Sequence, residues 1–235
     1  MAIYVTSDAH GHVRALDEAL SKISLTSDDT LYVLGDMIDR GPDPVGVINL
    51  VRSLPNARVL KGNHEQIMLD AIIGQDPLDA ETWDINGGWT TRQQLNEMEF
   101  EAYEELVRWA AALPLYAVVE TAERPYLLVH AGIQTEAARA FLLEHGVDCA
   151  DGRGAVDADS ELLQQMLAVQ SSDDLLWIRH GYWDAPTGLL SAEGKGPVVV
   201  SGHTPTVSLG RYCEVGGLAG LDEESGRGRM VRLGG

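Results

Sequence analysis

The sequence predicts an α/β domain, and two observations carry that expectation. Through the first half of the chain, short apolar runs of strand character alternate with stretches of helical periodicity, the order expected of βαβ units. Five apolar runs also stop at a Gly-containing turn bearing a metal-ligand residue type: IYVTSDAHGH, LYVLGDMIDRG, RVLKGNHE, YLLVHAG and PVVVSGHTP. In an α/β sheet the carboxyl ends of neighbouring strands share one edge, and ligands gather in the crevice there. Five distant segments are therefore expected to converge on one pocket.

The elements follow in order. A strand near 2–7 leads to a helix near 13–23, and a strand near 30–35 to a helix near 44–53. The turn of Gly41, Pro42, Asp43 and Pro44 opens that second helix. A strand near 57–61 precedes a helix over about 64–73, with Asn63 at the N-cap position. The ligand-bearing loops thus open onto helix N-termini, whose unpaired N–H groups favour phosphate. Residues 74–113, with GQDPLDAETW, NGGW and EFEAYEELVRWAAALP, read as a helical insertion that roofs one side of the pocket. Beyond it come strands near 115–120 and 126–130, helices near 134–145 and 160–168, and short strands near 197–201, 206–209, 211–215 and 228–233. Residues 148–160, rich in Gly and Asp, are expected to form a mobile loop.

A chain of 235 residues suits one domain spanning 1–235. No run approaches the roughly 20 apolar residues of a spanning helix, and the N-terminus enters a strand without a basic, then apolar, leader. A soluble, cytoplasmic protein with no membrane contact is expected. Cys149 and Cys213 have neither close metal spacing nor a disulfide framework. Acidic residues outnumber basic ones 36 to 17, for a formal charge of −19, and Lys22, Lys61 and Lys195 are the only lysines. Such a chain lacks the cations that nucleic-acid binding requires.

The run ends carry Asp8 and His10, Asp36 and Asp39, Asn63 and His64, His130, and His203. Carboxylate, imidazole and amide oxygen together suit two divalent cations, manganese first, with iron or zinc as alternatives. Asp8 and His10 stand two apart, so extended backbone would turn both to one ion. Asp36 would bridge, one oxygen to each cation, while Asn63, His130 and His203 complete the second set. Paired ions of this kind can grip both sides of an in-line displacement. Asp39 and His64 read as an acid pair, a carboxylate favouring the imidazolium that protonates a leaving oxygen. Arg40 and Arg179 read as phosphate forks, because a planar guanidinium binds two phosphoryl oxygens. His12, His145 and His180 lack such settings and read as surface or capping residues.

These residues resemble the phosphoprotein phosphatase family within the calcineurin-like metallophosphoesterases. The pattern D-x-H, G-D-x-x-D-R-G, G-N-H-E, H-A-G and G-H occurs in order at Asp8 to His10, Gly35 to Gly41, Gly62 to Glu65, His130 to Gly132, and Gly202-His203. Asn86-Gly87-Gly88, Val129 to Ile133 and Leu175 to Arg179 make the chain most similar to the compact bacterial and phage branch. The resemblance covers about residues 1–207. It departs at Ala9, where a bulkier aliphatic is usual, and after His203, where Glu214-Val215-Gly216-Gly217 stands in place of D-T-G. It implies a four-layer α-β-β-α sandwich with a dinuclear centre at the strand ends. It further implies Asp8, His10 and Asp36 on one metal, Asp36, Asn63, His130 and His203 on the other, His64 with Asp39 as the acid, and Arg40 with Arg179 on phosphate. The expected activity is hydrolysis of phosphoserine, phosphothreonine or phosphotyrosine in a protein or peptide by metal-activated water, without a phosphoenzyme. A dinucleoside polyphosphate hydrolase of the diadenosine tetraphosphate type is the alternative, and an inactive binding module a third reading. Glutamates 97, 99, 101, 104 and 105 are expected to rim the pocket and repel a polyanion, which favours the phosphoprotein.

Overall fold

The computed structural model describes residues 1–74, 76–149, 154–179, 182, 184–205, 214–215, 218–220 and 230–234. Two sheets form its centre. In the first, β3 (Ala57–Val59), β2 (Thr30–Val33) and β1 (Ile3–Thr6) run parallel, and β9 (Val231–Leu233) adds antiparallel to β1. The second has the order β4 (Tyr116–Glu120), β5 (Pro125–Val129), β6 (Val198–Ser201), β8 (Leu218–Gly220) and β7 (Glu214–Val215). Here β5, β6 and β8 are parallel, and β4 and β7 are antiparallel at the two edges.

Alternation along the strands builds the layers. Val5, Leu34, Leu60 and Leu233 of the first sheet meet Val119, Leu128 and Val200 of the second in a buried inter-sheet cluster. The opposite face of the first sheet, with Leu31 and Val33, packs under helices α1 (Val13–Ile23), α2 (Pro44–Ser53), α3 (Asn63–Ile73) and α6 (Phe100–Ala111). Leu127, Val129 and Val199 pack under α7 (Thr135–Glu144), α8 (Ser160–Ala168) and α9 (Ser172–Trp177). The result is an α-β-β-α sandwich. Strands buried on both faces read as unbroken apolar runs, which is why LYVL, YLLV and VVV stand out in the sequence.

Most expected elements appear within a residue or two. Helix α3 starts at Asn63 with Gly62 as its N-cap, so Asn63 is the first helical residue and not the cap. The 74–113 insertion consists of α4 (Pro77–Ile85), α5 (Trp89–Asn96) and α6. Helix α9 and strand β8 were not anticipated. The first is a single capped turn and a half, with Ser171 accepting from the Asp173 N–H at 3.1 Å. The second exists only through its pairing with β6 and β7. The described part of the 148–160 loop is packed, with Ala155 and Ala158 buried and Ala155 N–H donating to the Leu189 carbonyl at 2.7 Å. The strand expected near 206–209, residues 211–213, and residues 228 and 229 lie outside the described residues, as do His180 and Cys213. Cys149 is a free, half-buried thiol. His12 is the N-cap residue of α1, and His145 follows α7, where its Nδ1 donates to the Phe141 carbonyl at 2.8 Å. Among the described residues no helix is long and apolar enough to cross a membrane.

Candidate active site

The loops after β1 and β2 run side by side. Asp8 N–H donates to the Gly35 carbonyl at 3.1 Å, His10 N–H to Asp36 at 2.9 Å, and Gly11 N–H to Met37 at 2.8 Å. Seven described non-glycine residues have positive φ, and six of them are Asp8, His10, Asp36, Asp39, Arg40 and His203; the seventh, Ser24, merely ends α1. A left-handed backbone costs an L-residue about 1–2 kcal/mol, so such residues persist only where surrounding bonds hold them. The extended geometry expected for Asp8 and His10 is therefore wrong, since φ is 56° and 39° there. Left-handed turns, not a strand continuation, aim these side chains. Gly35, at φ 89°, lies so close to the Gly62 backbone that a Cβ would collide with it, which fixes the β2 loop against the start of α3.

Two buried sets of potential ligand atoms share Asp36: His10, Asp36 and His64 form one, and Asp36, His130 and His203 the other. Asp36 Oδ2 lies 3.5 Å from His10 Nε2 and 3.9 Å from His64 Nε2, while Oδ1 lies 3.4 Å from His130 Nε2. Asn63 Oδ1 joins the second set, 2.8 Å from His130 Nε2 and 3.0 Å from His203 Nδ1. Asp8 is buried beside them, but its carboxylate accepts the His203 backbone N–H at 3.1 and 3.2 Å, tying the first loop to the end of β6. The first set thus holds His64, expected only as the acid, where Asp8 was expected.

The electrostatics suit cations. Burial, and then the carboxylates of Asp8 and Glu65, push Asp36 well above the usual carboxylate range. Burial and neighbouring His64 lower His10 to about 3, and burial with His130 and Arg179 depresses His203 further. His10 Nδ1 donates to the Ile38 carbonyl at 2.9 Å, so the Nε2 lone pair faces the centre and accepts from Arg40 Nη1 at 3.1 Å. Neutral imidazoles, crowded carboxylates and an amide oxygen converging on two points fit a pair of divalent ions.

The acid pair is present: His64 Nδ1 donates to Asp39 Oδ2 at 2.7 Å, both side chains being buried. Burial, followed by the Arg40 guanidinium, lowers His64 to about 2, while burial raises Asp39 to about 6. The imidazole is thus neutral here, contrary to the imidazolium expected from its carboxylate partner, and Nε2 accepts from Arg40 Nη2 at 2.8 Å. Arg179 stands on the other side, where Nε donates to His203 Nε2 at 3.0 Å and Nη2 to the His203 carbonyl at 2.8 Å. Both arginines remain exposed to incoming ligand.

Three supporting residues escaped the sequence reading. Thr91 Oγ1 donates to Asp39 Oδ1 at 2.6 Å and accepts the Asp39 N–H at 2.9 Å; Trp83 Nε1 donates to the same carboxylate at 3.0 Å. The insertion thus braces the acid pair through α4 and α5. Glu65, fully buried, accepts the backbone N–H groups of Asp36 and Met37 at 2.9 Å and of Gly62 at 2.8 Å. Its place in GNHE, reaching back from the third helical position to the cap, was the available signal. Each orphaned buried donor costs about 1–3 kcal/mol, so Glu65→Ala is expected to lower unfolding free energy by at least about 3 kcal/mol in urea titration. A loss under about 1 kcal/mol would mean that water satisfies these groups.

Residues 1–223 match the model of the calcineurin-like phosphoesterases. The chain belongs to that family. The symmetrical bis(5′-nucleosyl)-tetraphosphatase of Proteus mirabilis is 29% identical over 220 residues, which are 91% of this chain and 68% of the relative. The protein of the same name from Salmonella paratyphi C is 31% identical over 163 residues, 68% of this chain but 52% of its own length. The chain therefore spans from about half to just over two thirds of the length of these relatives. Among solved structures, the cold-active protein-tyrosine phosphatase of a Shewanella species superposes with a TM-score of 0.53 at 19% identity, covering 99% of this chain and 75% of that one. That likeness shows the fold alone.

Membership in the family implies divalent metal ions, and the two sets sharing Asp36 are candidate positions for them. The phosphoprotein partner expected from the sequence is overturned, because the sequence relatives are named for dinucleoside tetraphosphates. At least one glutamate of the expected acidic rim is engaged elsewhere. Glu105 pairs with Arg52 in the last turn of α2, the end of that helix remote from the Asp39–Asp43 loop. Two cationic side chains, Arg40 and Arg179, bond directly to histidines of the ligand sets.

Proposed function

We propose that this chain, with residues 1–235 acting as one domain, hydrolyses symmetrical dinucleoside polyphosphates, cleaving a bis(5′-nucleosyl) tetraphosphate into two nucleoside diphosphates. The observation that carries this reading is the match to symmetrical tetraphosphatases over 91% of the chain. The motifs resembling phosphoprotein phosphatases belong to machinery that both activities use. His10 and Asp36, with Asp8 beside them, would hold one cation, and Asp36, Asn63, His130 and His203 the other. Manganese suits these donors, as do iron and zinc. Bound there, such ions supply an activated water and neutralise phosphate charge. Arg40 and Arg179, one at each set, would clamp phosphoryl oxygens on both sides of the scissile anhydride. Asp39 holds the His64 Nδ1–H, so that Nε2 faces the substrate; once Nε2 has taken up a proton beside a bound phosphate, the imidazolium can hand it to the departing oxygen.

Side-by-side assays with added manganese test this. Diadenosine tetraphosphate is expected to show kcat/KM at least about tenfold above that of phosphopeptides, about 1.4 kcal/mol in transition-state binding, with adenosine diphosphate as the sole nucleotide product. A tenfold preference for phosphopeptides, or release of mono- and triphosphates, would sink the proposal.

A further inference from the structure

Tryptophans divide into two kinds among the described residues. Trp83 is buried on Asp39, and Trp109 is half-buried beneath the Arg52 guanidinium, 5.5 Å from its ring. Trp89 and Trp177 are 59% and 42% exposed. An indole left in water forgoes the burial that stabilises the other two; Trp177 sits beside the candidate active site, and Trp89 follows a turn that packs on Arg40.

Trp177 ends α9 and lies edge-on to the His203 ring, with centroids 6.1 Å apart at 86°. Two residues on, Arg179 donates to His203 through Nε and Nη2. Trp89 opens α5 directly after Gly87-Gly88. The Gly87 carbonyl accepts the Arg40 N–H at 3.0 Å, and Gly87 is packed so tightly on Arg40 that a Cβ would come within 2.9 Å of Arg40 Cγ. Arg40 in turn reaches His10 and His64. Each ligand set therefore has one arginine; Trp177 lies edge-on to His203 on the Arg179 side, and on the Arg40 side Trp89 opens α5 two residues after Gly87. The contacts run from the start of α5 at Trp89 through Gly87 and Arg40 to the sets that share Asp36, and on through His203 to Arg179 and Trp177, with an element bearing an exposed tryptophan at each end.

A symmetrical dinucleotide has the same order of chemistry, base, phosphates, base. Resting on the dinucleotide reading of the site, we infer that Trp89 and Trp177 are its two nucleobase platforms, one on each flank, so that the central anhydride lies across Asp36. Base–indole stacking stabilises by about 1–3 kcal/mol per base and tolerates any base, since every base offers a π-face. Affinity drawn from stacking would also offset the repulsion between a chain of net charge −19 and a polyanion.

Trp89→Ala and Trp177→Ala are each expected to lower kcat/KM on diadenosine tetraphosphate by about 5- to 100-fold, chiefly through KM. The ratio to kcat/KM on inorganic tetraphosphate, which has no bases, should fall with it, and Trp→Phe should restore most of the loss. Equilibrium dialysis with a methylene-bridged, uncleavable dinucleotide should weaken by a similar factor in each Ala variant, at unchanged metal content. If the wild-type protein cleaves the dinucleotide but both variants keep its kcat/KM and Kd within twofold, the platforms are wrong and the hydrolase reading stands. A loss confined to one variant overturns the two-sided arrangement. A wild-type protein that leaves the dinucleotide intact overturns the hydrolase reading and the platforms together.

Discussion

Asp36→Asn is expected to reduce metal-dependent turnover by about a thousandfold or more and to strip both bound ions at once. Its two carboxylate oxygens face different ligand sets, Oδ2 toward His10 and His64, Oδ1 toward His130. Losing even a residue that only supports a metal ligand weakens a site by about 10–100-fold, and here one substitution weakens two sites. The amide keeps the volume and leaves one oxygen to accept the His64 N–H that Oδ1 now takes at 3.0 Å, so the fold should survive. Metal analysis after dialysis, beside turnover at saturating manganese, reads both effects. Two ions retained with turnover within tenfold of the wild type would remove Asp36 from its bridging place.

His64→Asn is expected to slow hydrolysis of an alkyl phosphate by about 10²–10⁴-fold, the usual worth of a general acid, and that of nitrophenyl phosphate far less. A nitrophenolate departs with little proton assistance, whereas an alkoxide requires it. The dinucleotide should fall nearer the nitrophenyl case, because a nucleoside diphosphate is also a stable anion. Neutral His64 is not an obstacle to this role. The same Arg40 guanidinium that depresses the imidazole would turn to a bound phosphate, and the added negative charge then favours the imidazolium that Asp39 already holds through Nδ1. Equal losses on all three substrates would make His64 a ligand or positioning residue, the place that its 3.9 Å approach to Asp36 would suit.

Much of this site was legible in the sequence because its pieces are local. A strand doubly buried in a sandwich needs an unbroken apolar run, and a polar residue beside Gly marks where the run stops. LYVLGD, KGNHE and VHAG therefore announced the strand ends, and the topology of an α/β sheet brings such ends to one edge. The acidic count, by contrast, misled about substrate, because a sum of charges does not say where they lie. Glu105 is spent on Arg52, and two arginines stand at the centre.

By itself, then, the sequence determined the α/β class and the five loops of the site, since each follows from turn chemistry within a few residues, whereas the pairing of His64 with Asp39, 25 residues apart, was expected only from the family motifs that carry them. Only the tertiary structure decided which partner each group takes across the two sheets. Asp8 meets the His203 N–H from 195 positions away, Glu65 gathers donors from a loop 28 and 29 residues upstream, and Thr91 reaches Asp39 across 52. Trp177 comes beside His203 on a helix too short to show any period. Contacts at such separations depend on how whole layers pack, and no local pattern in the chain encodes that geometry.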